Sequence, residues 1–198
     1  MLAGMAICGI DEAGRGPLAG PVVAAAVILP RRGRPKGLGD SKQLAAEARE
    51  ELAAKVWEIG IVGVGVASVE EIDTLNILRA SHLAMRRAFD ALSQTPVAAI
   101  VDGNMAPDLP CPIEWVIDGD VIVPIVSAAS IIAKVERGRM MIELCGQYPG
   151  YAFSKHKGYG TPEHQEALAR LGPCAIHRKS FKPVQDALQA RLQLRAAS

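Results

Sequence analysis

The sequence predicts an α/β fold, a mixed β-sheet covered by helices. Three observations lead there. Short runs rich in Val, Ile and Ala lie at residues 5–11, 22–29 and 61–67, each bounded by turn-forming residues. Two further strand-like runs follow at 97–101 and 113–117. Around them, apolar residues recur at the three- and four-residue spacing of helices. Three early strands, then mixed helices and strands, indicate a mixed sheet.

Taken in order, the first two strands flank the turn in "ICGIDEAGRGPLAGPVV". Residues 31–42, "RRGRPKGLGDSK", form a basic loop rich in Gly and Pro. Residues 45–59 read as a helix, with Leu44, Ala48, Leu52 and Val56 at helical spacing. Ser68-Val69-Glu70-Glu71 reads as a helix start, with an acid three residues after the capping serine. Residues 75–92 place Leu75, Leu78, Leu83, Met85, Phe89 and Leu92 on a long amphipathic helix. Residues 125–144, "IVSAASIIAKVERGRMMIEL", are a small-residue-rich helix suited to close packing on the sheet. Helices at 162–171 and 183–194 complete the chain, the first preceded by a Lys/His/Gly loop. There is no internal repeat.

With 198 residues, 49% hydrophobic and 22% charged, the chain can bury one sizeable core, and a single domain is expected. No apolar run approaches the roughly 20 residues that span a bilayer. The start lacks the basic region of a signal peptide, so a cytoplasmic protein is expected. Four scattered cysteines without a CxxC read as free thiols. The net charge of +1 hides an asymmetry: residues 1–133 carry 11 Lys/Arg against 16 Asp/Glu, residues 134–198 carry 11 against 5. An acidic body and a basic C-terminal third suit a cation site and a polyanion surface.

Asp11 ends the first apolar run and Asp102 the fourth, so both acids can meet on one rim of the sheet. Asp120 follows the next short run and can join them. Clustered carboxylates without Cys or His pairs point to Mg²⁺ or Mn²⁺, and two such ions can drive phosphodiester hydrolysis. Adjacent strand residues face opposite ways, so Glu12 is expected to join Asp11 only if the strand ends there. The glycines at 14, 16 and 20 do not spell GxGxxG, and Pro17 lacks an amide donor, so no nucleotide cofactor is expected. A Gly-Arg-Gly turn suits the approach of main-chain amides to a sugar or phosphate. Trp57 and Trp115 are expected in the core, and His82 and His164 on helix faces.

The blocks "GIDEAGRGPLAGPVVAAAVIL", "DSKQL", "EIDTLNILRASHLAMRRA", "VDGN", "SAASIIAKVER", "HKGYGT" and "HRKSFKPV" occur in an order that resembles ribonuclease HII, the type 2 ribonuclease H. The resemblance covers about residues 7–188. It implies a ribonuclease H-like fold, with residues about 150–198 forming a basic helical part that binds substrate. It implies an endonuclease acting on RNA–DNA hybrids and on duplex DNA with embedded ribonucleotides, with Mn²⁺ or Mg²⁺ as cofactor. A monomer away from membranes is expected because no long exposed apolar stripe and no membrane-length apolar run is found. By motif, Asp11, Glu12, Asp102 and Asp120 match the metal-binding, catalytic acids. Gly14, Arg15 and Gly16 match the turn that touches the 2′-hydroxyl, and Tyr159 the tyrosine beside its sugar. Lys42, His156 and Lys157 match substrate-contacting positions.

Two departures stand out. Gly138 follows Arg137 where the family has Asp, and Asp118 precedes Gly119-Asp120 where the family commonly has Lys. Two rival readings share parts of the pattern. A decayed nucleic-acid-binding module would have lost acids, and all four are present. A DNA junction resolvase would not need the Gly-Arg-Gly turn or the tyrosine loop.

Overall fold

All seven residues of β2 (Val22–Ile28) are buried, which is why this run shows no alternation: a strand covered on both faces has no polar side. It sits inside a five-stranded sheet with β1 (Ile7–Ala13), β3 (Ile61–Ala67), β4 (Ala98–Asp102) and β5 (Ile113–Val116), in the order β3-β2-β1-β4-β5. β1 pairs antiparallel with β2 and parallel with β4, and β4 is parallel to β5, so the sheet is mixed as predicted. The computed structural model describes residues 6–39 and 44–196. Lys42 lies outside them.

The helices are α1 (Ala46–Ile59), α2 (Val69–Leu75), α3 (Ile77–Asp90), α4 (Gly119–Ile122), α5 (Pro124–Gln147), α6 (Phe153–His156), α7 (Pro162–Leu171) and α8 (Lys182–Ala196). Ser68 caps α2 in the expected box with Glu71. The long helix expected from residue 75 begins two residues later. Asn76 adopts a φ of 73°, which ends α2, and its side chain then accepts the Leu78 and Arg79 amides to start α3. The one-turn helices α4 and α6 carry too few residues to leave a periodic signal.

The chain folds as two compact units: Met1–Ala13, Val23–Val66 and Ser81–Glu136 in one, Gly14–Val22, Ala67–Ala80 and Arg137–Ser198 in the other. The core of the first packs Ala25, Val27 and Leu29 with Leu52 and Val56 and with Val126, Ala129, Ile132 and Ala133 of α5. The small residues of α5 serve close approach: a Cβ on Gly9 of β1 would collide with the main chain of Ile125 and Val126. In the second unit Tyr151, Phe153, Met141 and Ala167 form one core cluster, and Leu18, Leu168 and Val184 another.

Two expectations fail on burial. Trp57 and Trp115 are exposed, at 43% and 58%, and do not belong to the core. Trp115 sits on β5, the edge strand of the sheet. His164 lies on α7 as expected, on a face that is fully buried. All four cysteines are free, Cys8 being the buried one.

Gly138 lies in the interior of α5, and a Cβ there would meet no heavy atom within 4 Å. Nothing in the packing requires glycine, so it brings only the entropic penalty of glycine in a helix. Gly138→Ala is expected to stabilise the protein by about 1 kcal/mol. That is a rise of about 2–4 °C in Tm by calorimetry for a chain this long. Gly138→Asp has the same room but gains less, since Asp is a poorer helix former. A lower Tm for the alanine variant would show that the position needs its glycine.

Candidate active site

The parallel register of β1 and β4 sets the first two acids. Ile10 stands opposite Val101, so the next residue on each strand, Asp11 and Asp102, stand side by side and point to the same face. The strand does not end at Asp11: β1 runs on to Ala13. Glu12 therefore lies within the strand, contrary to the condition expected for its joining Asp11. It is near enough even so for its charge to act on the Asp11 carboxyl.

Asp120 arrives from another direction. Asp118 adopts a left-handed conformation, tolerated by Asp, and turns the chain from β5 into α4. The Asp120 amide then donates to Asp102 Oδ1 at 3.4 Å. Asp120 and Asp11 are both buried, at 2% and 4% exposure. Burial and the charges of Glu12 and Asp102 hold the Asp11 carboxyl well above the ordinary carboxylate range, while a hydrogen bond from Ser130 pulls the other way.

Sequence reasoning singles out neither Ser130 nor Lys134. One turn apart on α5, they face the acids together: Lys134 Nζ donates to Ser130 Oγ at 2.8 Å and lies 3.6 Å from Asp120 Oδ2. The available signal is the i,i+4 pair inside "SAASIIAKVER". Ser130 thus accepts from an ammonium and donates to the Asp11 carboxylate.

Among the described residues, no three His, Cys, Asp or Glu side chains stand together as a formed metal site. The donor set nonetheless fits a hard divalent cation. Its ligands are oxygen only, and the burial and carboxylate repulsion that lift Asp11 are what a cation would offset. The Lys134 ammonium already supplies part of that charge.

The second unit holds the turn and the loop. Gly14 has a φ of 96° and Gly16 does not share that constraint. A Cβ on Gly14 would collide with the Arg137 guanidinium, whereas one on Gly16 would only touch the Tyr159 ring at 3.7 Å. Arg15, Gly16 and Tyr159 are exposed. The loop before α7 is tightly bonded within itself. His156 commits both ring nitrogens to it, Nδ1 accepting from the Gly158 amide and Nε2 donating to Tyr151 O at 2.8 Å. Lys157 Nζ donates to Ser154 O at 2.6 Å. Behind the loop, His164 Nδ1 donates to Tyr159 O, and its Nε2 accepts from His177 Nε2 at 3.0 Å. Burial pushes His177 down to about 4, so both rings stay neutral in this pairing.

Comparison with known proteins identifies the family. A family model described as Ribonuclease HII matches residues 8–184. The Ribonuclease HII of Rhizorhabdus wittichii is 58% identical over 178 residues, covering 90% of this chain and 88% of that protein. That of Paramagnetospirillum magneticum is 55% identical over 182 residues, covering 90% of each. Among solved structures, ribonuclease H2 of Pyrococcus horikoshii superposes with a TM-score of 0.80 at 26% identity, covering 94% of this chain and 98% of that one. Bst-RNase HIII, solved in complex with Mn²⁺, shares the fold at 22% identity and a TM-score of 0.76, covering 98% of this chain and 72% of that one. Acids seated side by side on parallel strands, and a match at over half identity along nearly the whole chain, have one conclusion: this chain belongs to the ribonuclease HII family and is a type 2 ribonuclease H.

Proposed function

We propose that this hydrolase cuts the RNA strand of RNA–DNA hybrids and cuts 5′ of single ribonucleotides embedded in duplex DNA, leaving 3′-hydroxyl and 5′-phosphate ends. Asp11, Glu12, Asp102 and Asp120 hold Mn²⁺ or Mg²⁺. The observation that carries this is the Asp11–Asp102 pair, with the Asp11 carboxyl raised by its burial and its acidic neighbours. Such ions, when bound, supply Lewis-acid stabilisation of phosphoryl charge and acidification of a water.

The chain's own residues do the rest. Ser130 holds the Asp11 carboxylate in place, and Lys134 fixes Asp120 while offsetting one negative charge. No side-chain nucleophile is required. Gly16 and the Tyr159 ring, near enough that a Cβ on Gly16 would touch the ring, are both exposed and form a surface against which a ribose fits. Only a ribose offers a 2′-hydroxyl that both donates and accepts a hydrogen bond. Arg15 and Lys157 lend positive charge for the phosphates, so the wider role is removal of ribonucleotides from DNA.

The test uses three end-labelled duplexes: one with a single ribonucleotide, an RNA–DNA hybrid and an all-DNA duplex. Cleavage of the first two, at the phosphate 5′ of the ribonucleotide in the first, with ends that a ligase can rejoin, is the expected result. Cyclic-phosphate ends, or equal cutting of the all-DNA duplex, would refute the mechanism.

A further inference from the structure

Two arginines in the second unit have an unusual position. Arg178 is completely buried and Arg137 nearly so, at 3% exposure. Among the described residues, every hydrogen bond their side chains donate goes to a main-chain carbonyl. Burial depresses both guanidinium groups, Arg178 to about 9 and Arg137 to about 10, and the Arg137 charge adds to the effect on Arg178. Two like charges placed so close out of water are costly to hold, so their acceptors matter.

Arg178 serves the Gly-Arg-Gly turn. Its Nη2 donates to Gly14 O at 2.6 Å and its Nη1 to Arg15 O at 2.9 Å. Nε and Nη2 also reach Gly20 O, at 2.9 and 2.8 Å. Arg137 shares one acceptor with Arg178, Pro21 O, at 2.9 Å from Arg137 Nε and 3.3 Å from Arg178 Nη2, and otherwise takes Lys157 O at 2.9 Å and Ala19 O at 3.1 Å.

A trans peptide is planar, with its C=O and the following N–H antiparallel, and no peptide bond here is cis. Drawing Gly14 O and Arg15 O onto Arg178 therefore turns the Arg15 and Gly16 N–H groups the opposite way. Arg15 and Gly16 are exposed while Arg178 is buried, so that direction is outward. The Gly16 N–H makes no hydrogen bond among the described residues.

We infer that Arg178 is a positioning residue for sugar recognition: its guanidinium fork fixes two consecutive peptide planes so that the Arg15 and Gly16 amides face the ribonucleotide as a donor pair. This rests on the proposed reading of the turn as the ribose-reading element. A guanidinium suits the task because its donors are held in one plane and reach several carbonyls at once. An ammonium in the same place keeps the charge and loses the geometry. Arg137 acts as the structural counterpart, holding the base of the loop without touching the Gly14 or Arg15 carbonyls.

The experiment compares Arg178→Lys with Arg137→Lys, measuring binding to a single-ribonucleotide duplex and to the same all-DNA duplex in EDTA, then kcat/KM for cleavage. Arg178→Lys is expected to bring the affinity ratio of the two duplexes close to one. Its all-DNA affinity should stay unchanged, and kcat/KM should fall on the order of 100-fold, as for loss of a preorganised donor. Arg137→Lys is expected to lower Tm while keeping the ratio. In the wild-type protein, the Arg15 and Gly16 amide resonances are expected to shift with the ribonucleotide duplex and not with the all-DNA one. That measurement decides the matter if Arg178→Lys does not fold. An unchanged ratio in Arg178→Lys, or amide resonances that ignore the ribonucleotide, overturns the inference. A Gly16→Val control separates the two levels. If wild type discriminates and Gly16→Val does not, yet Arg178→Lys does, the turn reads the sugar without Arg178. If Gly16→Val discriminates as well as wild type, the reading of the turn has itself failed.

Discussion

Asp11→Asn is expected to lower cleavage by at least about three orders of magnitude, about 4 kcal/mol of barrier, and at the same time to raise the Tm of the metal-free protein. The two effects share one cause. Asp11 is buried beside Glu12 and Asp102, and both burial and those charges disfavour its ionised form. Asparagine keeps the shape and the acceptor for Ser130 while removing the charge, so the empty site relaxes. Under the proposed function the same charge holds a cation there. Mn²⁺ at about 100 times its Kd adds about 2.7 kcal/mol to the stability of a protein that binds it only when folded. Wild type should therefore gain Tm on Mn²⁺ addition and Asp11→Asn should gain little. Thermal melts with and without Mn²⁺, run beside a cleavage assay, check both halves. Near-normal cleavage by Asp11→Asn would remove it from the catalytic set, as would a falling metal-free Tm remove the crowding argument.

How much of this is legible in the sequence depends on how local each signal is. β2 can be read because seven buried residues in a row leave an uninterrupted apolar run. Asp11 and Asp102 can be placed together because each follows a local apolar run, and the parallel register of those runs sets the two residues side by side even though β1 continues past Asp11. The Ser130–Lys134 pair is harder. It sits in a helix that reads as packing surface, and only a contact with Asp11, far away in the sequence, gives it a role. The basic C-terminal third misleads in a specific way. Charge balance assigns it to a polyanion surface, yet Arg137 and Arg178 are interior and spend their donors on main-chain carbonyls. Nothing in a sequence distinguishes an arginine that faces solvent from one that holds irregular backbone in the interior. His164 shows the same limit: its spacing reads only as a helix-face position, while its partners, Tyr159 O and His177, come from the loop before its helix and the segment after it.

The glycines of the turn yield the sharpest contrast between folding and function. Gly14→Ala is expected to be strongly destabilising. Its φ of 96° costs a non-glycine residue about 1–2 kcal/mol. Its Cβ would also displace the Arg137 guanidinium, stranding buried acceptors at about 1–3 kcal/mol each. A loss of about 3 kcal/mol or more corresponds to a fall of about 6–12 °C in Tm for a chain of this size. Gly16→Ala should behave in the opposite manner. Its backbone is not in the left-handed region, and the added methyl would meet only the Tyr159 ring at ordinary contact distance. Tm should stay within about 1 °C of wild type, since the surface position carries no special feature. Cleavage at an embedded ribonucleotide should nonetheless drop, because the methyl occupies space where the sugar approaches the turn. Melting curves and single-ribonucleotide cleavage on the two variants check this directly. If Gly16→Ala melts like wild type and also cleaves like wild type, the ribose does not approach that face. If Gly14→Ala melts like wild type, neither the φ of Gly14 nor the Arg137 guanidinium beneath it excludes a side chain there.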